Sequence, residues 1–539
     1  MNRRILRTAS KLGALVVLVL IFVLILDSQV AVLPSRIHHY LPTHHPGLVI
    51  TDISLVTCSS LNLFSSCRLD PTVWYRVEKD LYLNSGWTSK AYIHVQRKKE
   101  EELGMDDKVV VDLKIGRLDP GAGVDKKWES RPGGIWLLRS SHHASDSPKR
   151  ITAVDVLFGA DAVDPRPSWE IKDTPLLLDI ATEPRLTIRR GENGKIEKPI
   201  PRIRKDGKFK IMQASDLHLA TGFGVCRDPV PDRINGNECE ADPRTLEFLG
   251  RLLDEEKPDL VVLSGDQING DTAPDAQTAT YKFADLFIKR KIPYAAILGN
   301  HDDEGNLDRS ALMSLMQNLP YSLSQPGPTG VDGVGNYLVE ILGHSSSHSA
   351  LSLYFLDTHK YTPDQRQYPG YDWLKPSQID WFKNTAESLR KAHQAYTHIH
   401  MNLAFIHIPL PEYRNPKNPY QGSWREAPTA PTLNSGFKDA LIEENVVVVS
   451  CGHDHANDYC MLEKNAKELP ALWMCYAGGA GFGGYGGYGG LVRRVRFFDI
   501  DMNEARIMSY KRLEHGKTDE RVDEMMLVDG GKVVASQTS

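Results

Sequence analysis

Apolar and polar positions divide this chain into three stretches of different rhythm. The first is an uncharged apolar run from Leu12 to Leu26, preceded by Arg3, Arg4, Arg7 and Lys11 and ended by Asp27. It is at the upper limit of a signal-peptide core and just short of the ~20 residues of a spanning helix. Residues 30–33 extend it, and no small-x-small cleavage site follows. The pattern therefore predicts a retained signal anchor over 12–33, with a cytosolic basic tail at 1–11 and the body across the membrane. Residues 34–47, with His38, His39, His44 and His45, read as a polar stalk.

The second stretch, 48–188, consists of short β-like runs such as Ala91–Val95, Val109–Leu113 and Ile135–Leu138, punctuated by Gly, Pro, Asp and Asn. No amphipathic helix of ordinary length interrupts them, so they predict a β-rich accessory domain of sandwich type. Residues 189–208, charged and carrying Pro199 and Pro201, read as a linker.

From Phe209 strands alternate with helices. Phe209–Ser215 ends at Asp216. Helical spacing through Leu246, Leu249 and Leu253 leads to Leu260–Ser264 and then Gly265-Asp266. A second helix over Tyr281–Lys289 leads to Tyr294–Leu298 and then Gly299-Asn300-His301-Asp302. This β-α-β-α-β order implies parallel strands, whose ligands gather beyond the carboxyl ends. Later strands over Leu351–Leu356, Leu403–Ile408 and Val446–Cys451 precede hairpin-like runs up to Tyr510, which predicts a mixed α/β (α+β) domain over 209–512. Ala477–Gly490 is a low-complexity Gly/Tyr stretch, expected to be a flexible surface loop; the alternative is a rim with Tyr485 and Tyr488 touching substrate. Residues 513–539 read as a loose polar tail.

Composition adds little to this picture. The chain has 539 residues, with 41% hydrophobic and 25% charged, as in globular proteins. A net charge of −5 gives no basic footprint, so no nucleic-acid partner is expected. Seven cysteines fall as Cys58 with Cys67, Cys226 with Cys239, Cys460 with Cys475, and Cys451 in an apolar strand. Three local pairs would suit an oxidising lumen, seven free thiols would not, and both readings stay open. No Asn-x-Ser/Thr acceptor is present, which opposes long luminal exposure. A single-pass endomembrane protein with a luminal body is the expectation.

The chemistry lies in five blocks at strand ends: Asp216-Leu217-His218, Gly265-Asp266, Gly299-Asn300-His301-Asp302, His407 and Gly452-His453-Asp454-His455. Singly, each is an ordinary turn or strand histidine; together, in this order, they suit two-metal phosphoester hydrolysis. Two cations ~3.5–4 Å apart clamp phosphoryl oxygens and generate a hydroxide nucleophile, and an anionic bridge must offset their repulsion. Asp266 is the expected bridge. Asp216 with His218, and His453 with His455, are i, i+2 pairs that an extended backbone would point the same way. Asn300 offers an amide oxygen and His407 a lone imidazole. This donor set suits Mn, Fe, Zn or Mg. His301, next to Asn300, faces away from that ligand and suits protonation of the leaving oxygen, with Asp302 or Asp303 orienting it.

These blocks resemble the calcineurin-like metallophosphoesterase superfamily over about Phe209–Tyr510. Stretches such as His407–Tyr413, Tyr371–Gln378 and Asn434–Gly436 are similar to its purple-acid-phosphatase-related branch. The anchor, the front domain and Asp161–Trp169 resemble the fungal phosphatases named for dosage-dependent cell-cycle regulation. The resemblance implies a two-sheet sandwich flanked by helices. It further implies one metal on Asp216, His218, Asp266 and His455, a second on Asp266, Asn300, His407 and His453, and a catalytic His301. Purple acid phosphatases carry a tyrosine three residues after the bridge; Asn269 stands there, which favours two divalent ions over an obligate ferric one. The implied activity is a phosphomonoesterase acting on Ser/Thr phosphoproteins by attack of a metal-bound hydroxide. The alternatives are a phosphodiesterase or nucleotide hydrolase, and a non-catalytic membrane-tethered scaffold.

Overall fold

In the computed structural model the described residues are 11–23, 47–59, 67–86, 88–121, 127–141, 147–234, 236–394, 396 and 398–535. They form two units: one ends at Ala160 and resumes over Arg166–Lys195, the other comprises Asp161–Pro165 and Ile196 onward. Residues 11–23 are helical. Among the described residues no helix is long and apolar enough to cross a membrane. The rest of the expected anchor and nearly all of the stalk lie outside the described residues.

The first unit is β-rich, as its sequence implies, but is not a two-layer sandwich. Three three-stranded antiparallel sheets share one core, and each places its first strand beside its third and its third beside its second. The first strands are Leu48–Ser59, Val109–Ile115 and Ile151–Phe158, each with a register shift near its start. The short second strands begin at Trp74, Trp128 and Trp169. Ile53, Ile93, Leu113, Leu137, Val156 and Leu186 bring all three sheets into the core. The unit is thus an internal threefold repeat, in which the three sheets bury their apolar faces against one another. An aspartate of each first strand meets a basic residue of the next repeat: Asp52 with Arg131 at 2.8 Å, Asp112 with Arg190 at 2.8 Å, and Asp155 with Lys79 at 3.9 Å.

The second unit is built on two seven-stranded sheets. In the first, Tyr294–Ile297, Leu260–Ser264 and Lys208–Ala214 run parallel, and Arg494–Asp501, Arg506–Leu513, Val522–Asp529 and Lys532–Val533 continue it antiparallel. In the second, Ser349–Phe355, Met401–Phe405, Val446–Cys451 and Pro470–Tyr476 run parallel. Tyr337–Leu342 closes one edge, and Cys460–Lys464 with Tyr420–Gln421 the other. Ile211, Val262, Phe498 and Leu527 of the first sheet bury against Leu353, Leu403, Val448 and Trp473 of the second. The helices Pro376–Gln394 and Phe437–Glu443 cover the second sheet's outer face through Phe382 and Leu441. Phe287 of the helix Ala276–Arg290 packs on Tyr294 of the first.

Two boundaries differ from expectation. The supposed linker 189–208 contains the end of the strand Pro184–Arg190, and from Ile196 it joins the second unit, where Ile203 enters the core. The supposed loose tail supplies the strand Val522–Asp529, anchored by buried Met525, Leu527 and Val528. Cysteines pair as Cys58–Cys67, Cys226–Cys239 and Cys460–Cys475, and Cys451 is a buried free thiol.

Candidate metal centre

Each of the five blocks follows a parallel strand, so the carboxyl ends of both sheets deliver their residues to one place. Asp216, His218 and His455 present ligand atoms within 4.8 Å of one another, and so do Asp266, His407 and His453. All six are buried, as is Asn300. Asp266 joins the two groups: its Oδ2 lies 3.1 Å from His407 Nε2 and 3.8 Å from His218 Nε2. Asn300 Oδ1 lies 3.2 Å from His407 Nε2. Within the first group, the rings of His218 and His455 bring their Nε2 atoms to 3.0 Å.

The route to this convergence differs from the expected extended alternation. Asp216, His218, Asp266 and His453 all adopt left-handed backbone conformations, with φ of 57°, 47°, 51° and 76°. Such non-glycine residues are uncommon and cost about 1–3 kcal/mol each, and they cluster where function holds them. Here the loops hold one another. Backbone N–H groups of Asp216, His218 and Leu219 donate to the carbonyls of Gly265, Asp266 and Gln267, so the first block runs alongside the second. Gly265 has φ +96°, and a Cβ there would overlap the His407 ring. Glycine is required on both counts.

Buried polar groups normally find partners. Here His218 Nδ1, His453 Nδ1, Asp266 Oδ2 and Asn300 Nδ2 are buried without a hydrogen bond. Burial pushes His218 and His453 down to about 3, which keeps both imidazoles neutral, the form that ligates a cation. Burial opposes charge on His407 as well, but Asp266 outweighs it and raises His407 to about 9. Burial likewise works against a charged Asp266, and the surrounding imidazoles, His407 first, hold it well below the usual carboxylate range. Two carboxylates, four imidazoles and an amide, with unpartnered buried atoms and no thiolate among them, fit a pair of divalent cations.

The residues around this set account for the remaining sequence expectations. His301 is partly exposed, with 24% of its side chain accessible, and its ring lies 5.4 Å from that of His218. Asp302 does not orient it. The Asp302 carboxylate is fully buried and accepts the backbone N–H groups of Gly299, Asp266 and Ile268, so it braces two ligand loops. Asp303 is held by Arg309 and Lys360. The His301 Nδ1 partner is Glu304, at 2.7 Å, a residue the motif reading passed over. An i, i+3 carboxylate on a turn after the histidine was the available signal.

The Gly/Tyr stretch is no free surface loop. Ala477, Ala480 and Phe482 are buried, and a Cβ at Gly481 would overlap the Leu217 backbone. Tyr485 stacks on His455 at 4.0 Å between ring centroids, and its hydroxyl donates to His453 O at 2.6 Å. On the other side Tyr371 stands edge-on to His453 at 4.4 Å, backed by Tyr361. Tyrosine rings thus hold imidazoles of both groups in place.

Comparison with known proteins agrees with this geometry. Residues 209–457 match the family described as calcineurin-like phosphoesterase. The protein named Phosphatase DCR2 of Saccharomyces cerevisiae is 40% identical over 417 residues, 74% of this chain and 69% of its own length. Probable inactive purple acid phosphatase 29 of Arabidopsis thaliana is 37% identical over 342 residues, 60% of this chain and 85% of its own. The structure of purple acid phosphatase PPD1 from yellow lupin superposes with a TM-score of 0.38 at 12% identity, covering 89% of this chain and 73% of that one.

The packing at Gly265 makes the site testable. Gly265→Ala is expected to displace His407, take bound metal below two ions per chain and slow turnover about 100-fold. Gly116→Ala, where the added Cβ meets only a backbone oxygen at 4.0 Å, is expected to leave both unchanged. Metal analysis of the two purified variants checks this.

Proposed function

This chain belongs to the calcineurin-like phosphoesterase family, and from that premise we propose that it is a phosphomonoesterase whose substrates are Ser/Thr phosphoproteins. The metal-dependent phosphoesterase activity and the two divalent cations follow from family membership. The monoester is supported by the yeast relative's name, and the protein substrate by resemblance to the cell-cycle phosphatases. The plant relative is named inactive, whereas every ligand candidate and His301 are present here.

One observation carries the reading: two ligand groups meet at a single buried carboxylate, Asp266, beside a histidine that reaches solvent. In our assignment Asp216, His218 and His455 would hold one cation, Asn300, His407 and His453 would hold the other, and Asp266 would serve both. When bound, the pair would neutralise phosphoryl charge and make a nucleophile from water near neutral pH. The chain's own groups do the rest. Asp302 and Gly265 fix the loops, the tyrosines fix ring orientations, and His301 protonates the departing oxygen. His301 is suited to that role, since burial opposes its charge but Asp266 and Glu304 raise its pKa above the ordinary histidine value.

The tether expected over 12–33 is part of this proposal. It is supported by the exposed apolar side chains of residues 12–22, and the three disulfides support a luminal body. Full-length protein should leave membranes with detergent and stay with them in high salt; release by salt alone contradicts the tether.

His301→Ala is expected to lower kcat about 10²–10⁴-fold while two ions stay bound. Unchanged turnover would remove His301 from catalysis. A panel of phosphopeptides, nucleotides and diesters is expected to show the highest kcat/KM on phosphoserine or phosphothreonine peptides. Preference for nucleotides or diesters would overturn the substrate class.

A further inference from the structure

We infer that Glu304 is a positioning residue for His301: it fixes the ring's orientation and sets which ring nitrogen carries the mobile proton. The inference rests on the phosphoesterase reading of the site. Its basis is the 2.7 Å approach of Glu304 Oε2 to His301 Nδ1. A carboxylate can only accept, so Nδ1 must donate, and the exchangeable proton is left on Nε2. Nε2 makes no hydrogen bond among the described residues. The other acidic neighbours are occupied elsewhere: Asp302 by three backbone N–H groups, Asp303 by Arg309 and Lys360. Asn269 donates to Thr272 Oγ1.

Glu304 is held for this task. Its backbone N–H donates to His301 O, and so does that of Gly270. Gly270 packs against the Glu304 stem, since a Cβ at 270 would come within 2.5 Å of Glu304 Cβ. The histidine is anchored at its other end, where its N–H donates to Asp266 Oδ1 at 2.8 Å. The turn His301–Glu304 therefore couples the ligand carboxylate to the histidine backbone and a second carboxylate to its ring.

The chemistry balances without further reactants. A water oxygen bonds to phosphorus and gives a proton to solvent, and the bond from phosphorus to the leaving oxygen breaks with its electron pair. His301 Nε2–H passes its proton to that oxygen and leaves a neutral ring still protonated on Nδ1. Glu304 accepts from Nδ1 throughout. The ring regains its Nε2 proton from solvent. Loss of Glu304 therefore matters most where the leaving group most needs a proton.

The test compares an alkyl phosphate with p-nitrophenyl phosphate on the metal-loaded protein. Glu304→Ala is expected to lower kcat about 10- to 100-fold on the alkyl ester and less on the nitrophenyl ester, with KM and metal content unchanged. Glu304→Gln, whose amide oxygen still accepts from Nδ1, should recover part of the loss. In a His301→Ala background the Glu304→Ala change should cost nothing more, because the two act as a unit. Equal losses on both esters, additive losses in the double variant, or loss of metal would overturn the inference. If His301→Ala is slow and Glu304→Ala is not, only this inference fails. If His301→Ala turns over normally, the catalytic reading of His301 fails with it.

Discussion

The fold is organised around one costly arrangement, the burial of Asp266 between two sets of imidazoles. A lone buried carboxylate is strongly disfavoured, and a buried charge persists only where it is paired or coordinated. Asp266 has one oxygen on the His301 backbone N–H and the other, without a hydrogen bond, between His218 and His407. Asp216 is buried beside His455 as well, and its carboxylate accepts the backbone N–H of His453. Protein groups alone leave this cluster with orphaned atoms and rings that differ sharply in their hold on a proton. A pair of divalent cations would satisfy the orphaned oxygen and the neutral imidazoles together, which would make the site and its metals one structural unit.

Much of the second unit serves that cluster. Two parallel strand sets aim their carboxyl ends at it from two sheets, and the sheets are welded by a shared apolar core. The strained ligand backbones are tolerated because neighbouring loops bond to one another, Asp302 ties three N–H groups together, and glycine stands where a side chain would strike a ligand. The Gly/Tyr segment adds a second layer. Asp228 accepts the N–H groups of Gly487 and Tyr488, which holds the segment while Tyr485 stacks on His455. A chain that is low in complexity is thus ordered by what it covers.

The convergence of these candidate ligands was legible in the sequence because each block follows an apolar strand and two-metal chemistry demands those residue types. Their geometry was not. The i, i+2 argument assumes extended backbone, and Asp216, His218 and His453 are left-handed because tertiary hydrogen bonds override the local preference. Asp302 was assigned to His301 by adjacency, yet the backbone turns it inward and brings Glu304 to the ring. The threefold front unit was hidden because its repeats differ in length and share little beyond a tryptophan and an aspartate. The strand Val522–Asp529 was missed because its buried residues are interspersed with polar ones on an outer strand.

The central claim is that Asp266 bridges two cations. Anomalous diffraction at the metal absorption edge measures it most directly. The account predicts two peaks ~3.5–4 Å apart, one at Asp216, His218 and His455, the other at Asn300, His407 and His453, with Asp266 touching both. A folded protein with one peak, or none, and Asp266 bound to no cation would contradict it.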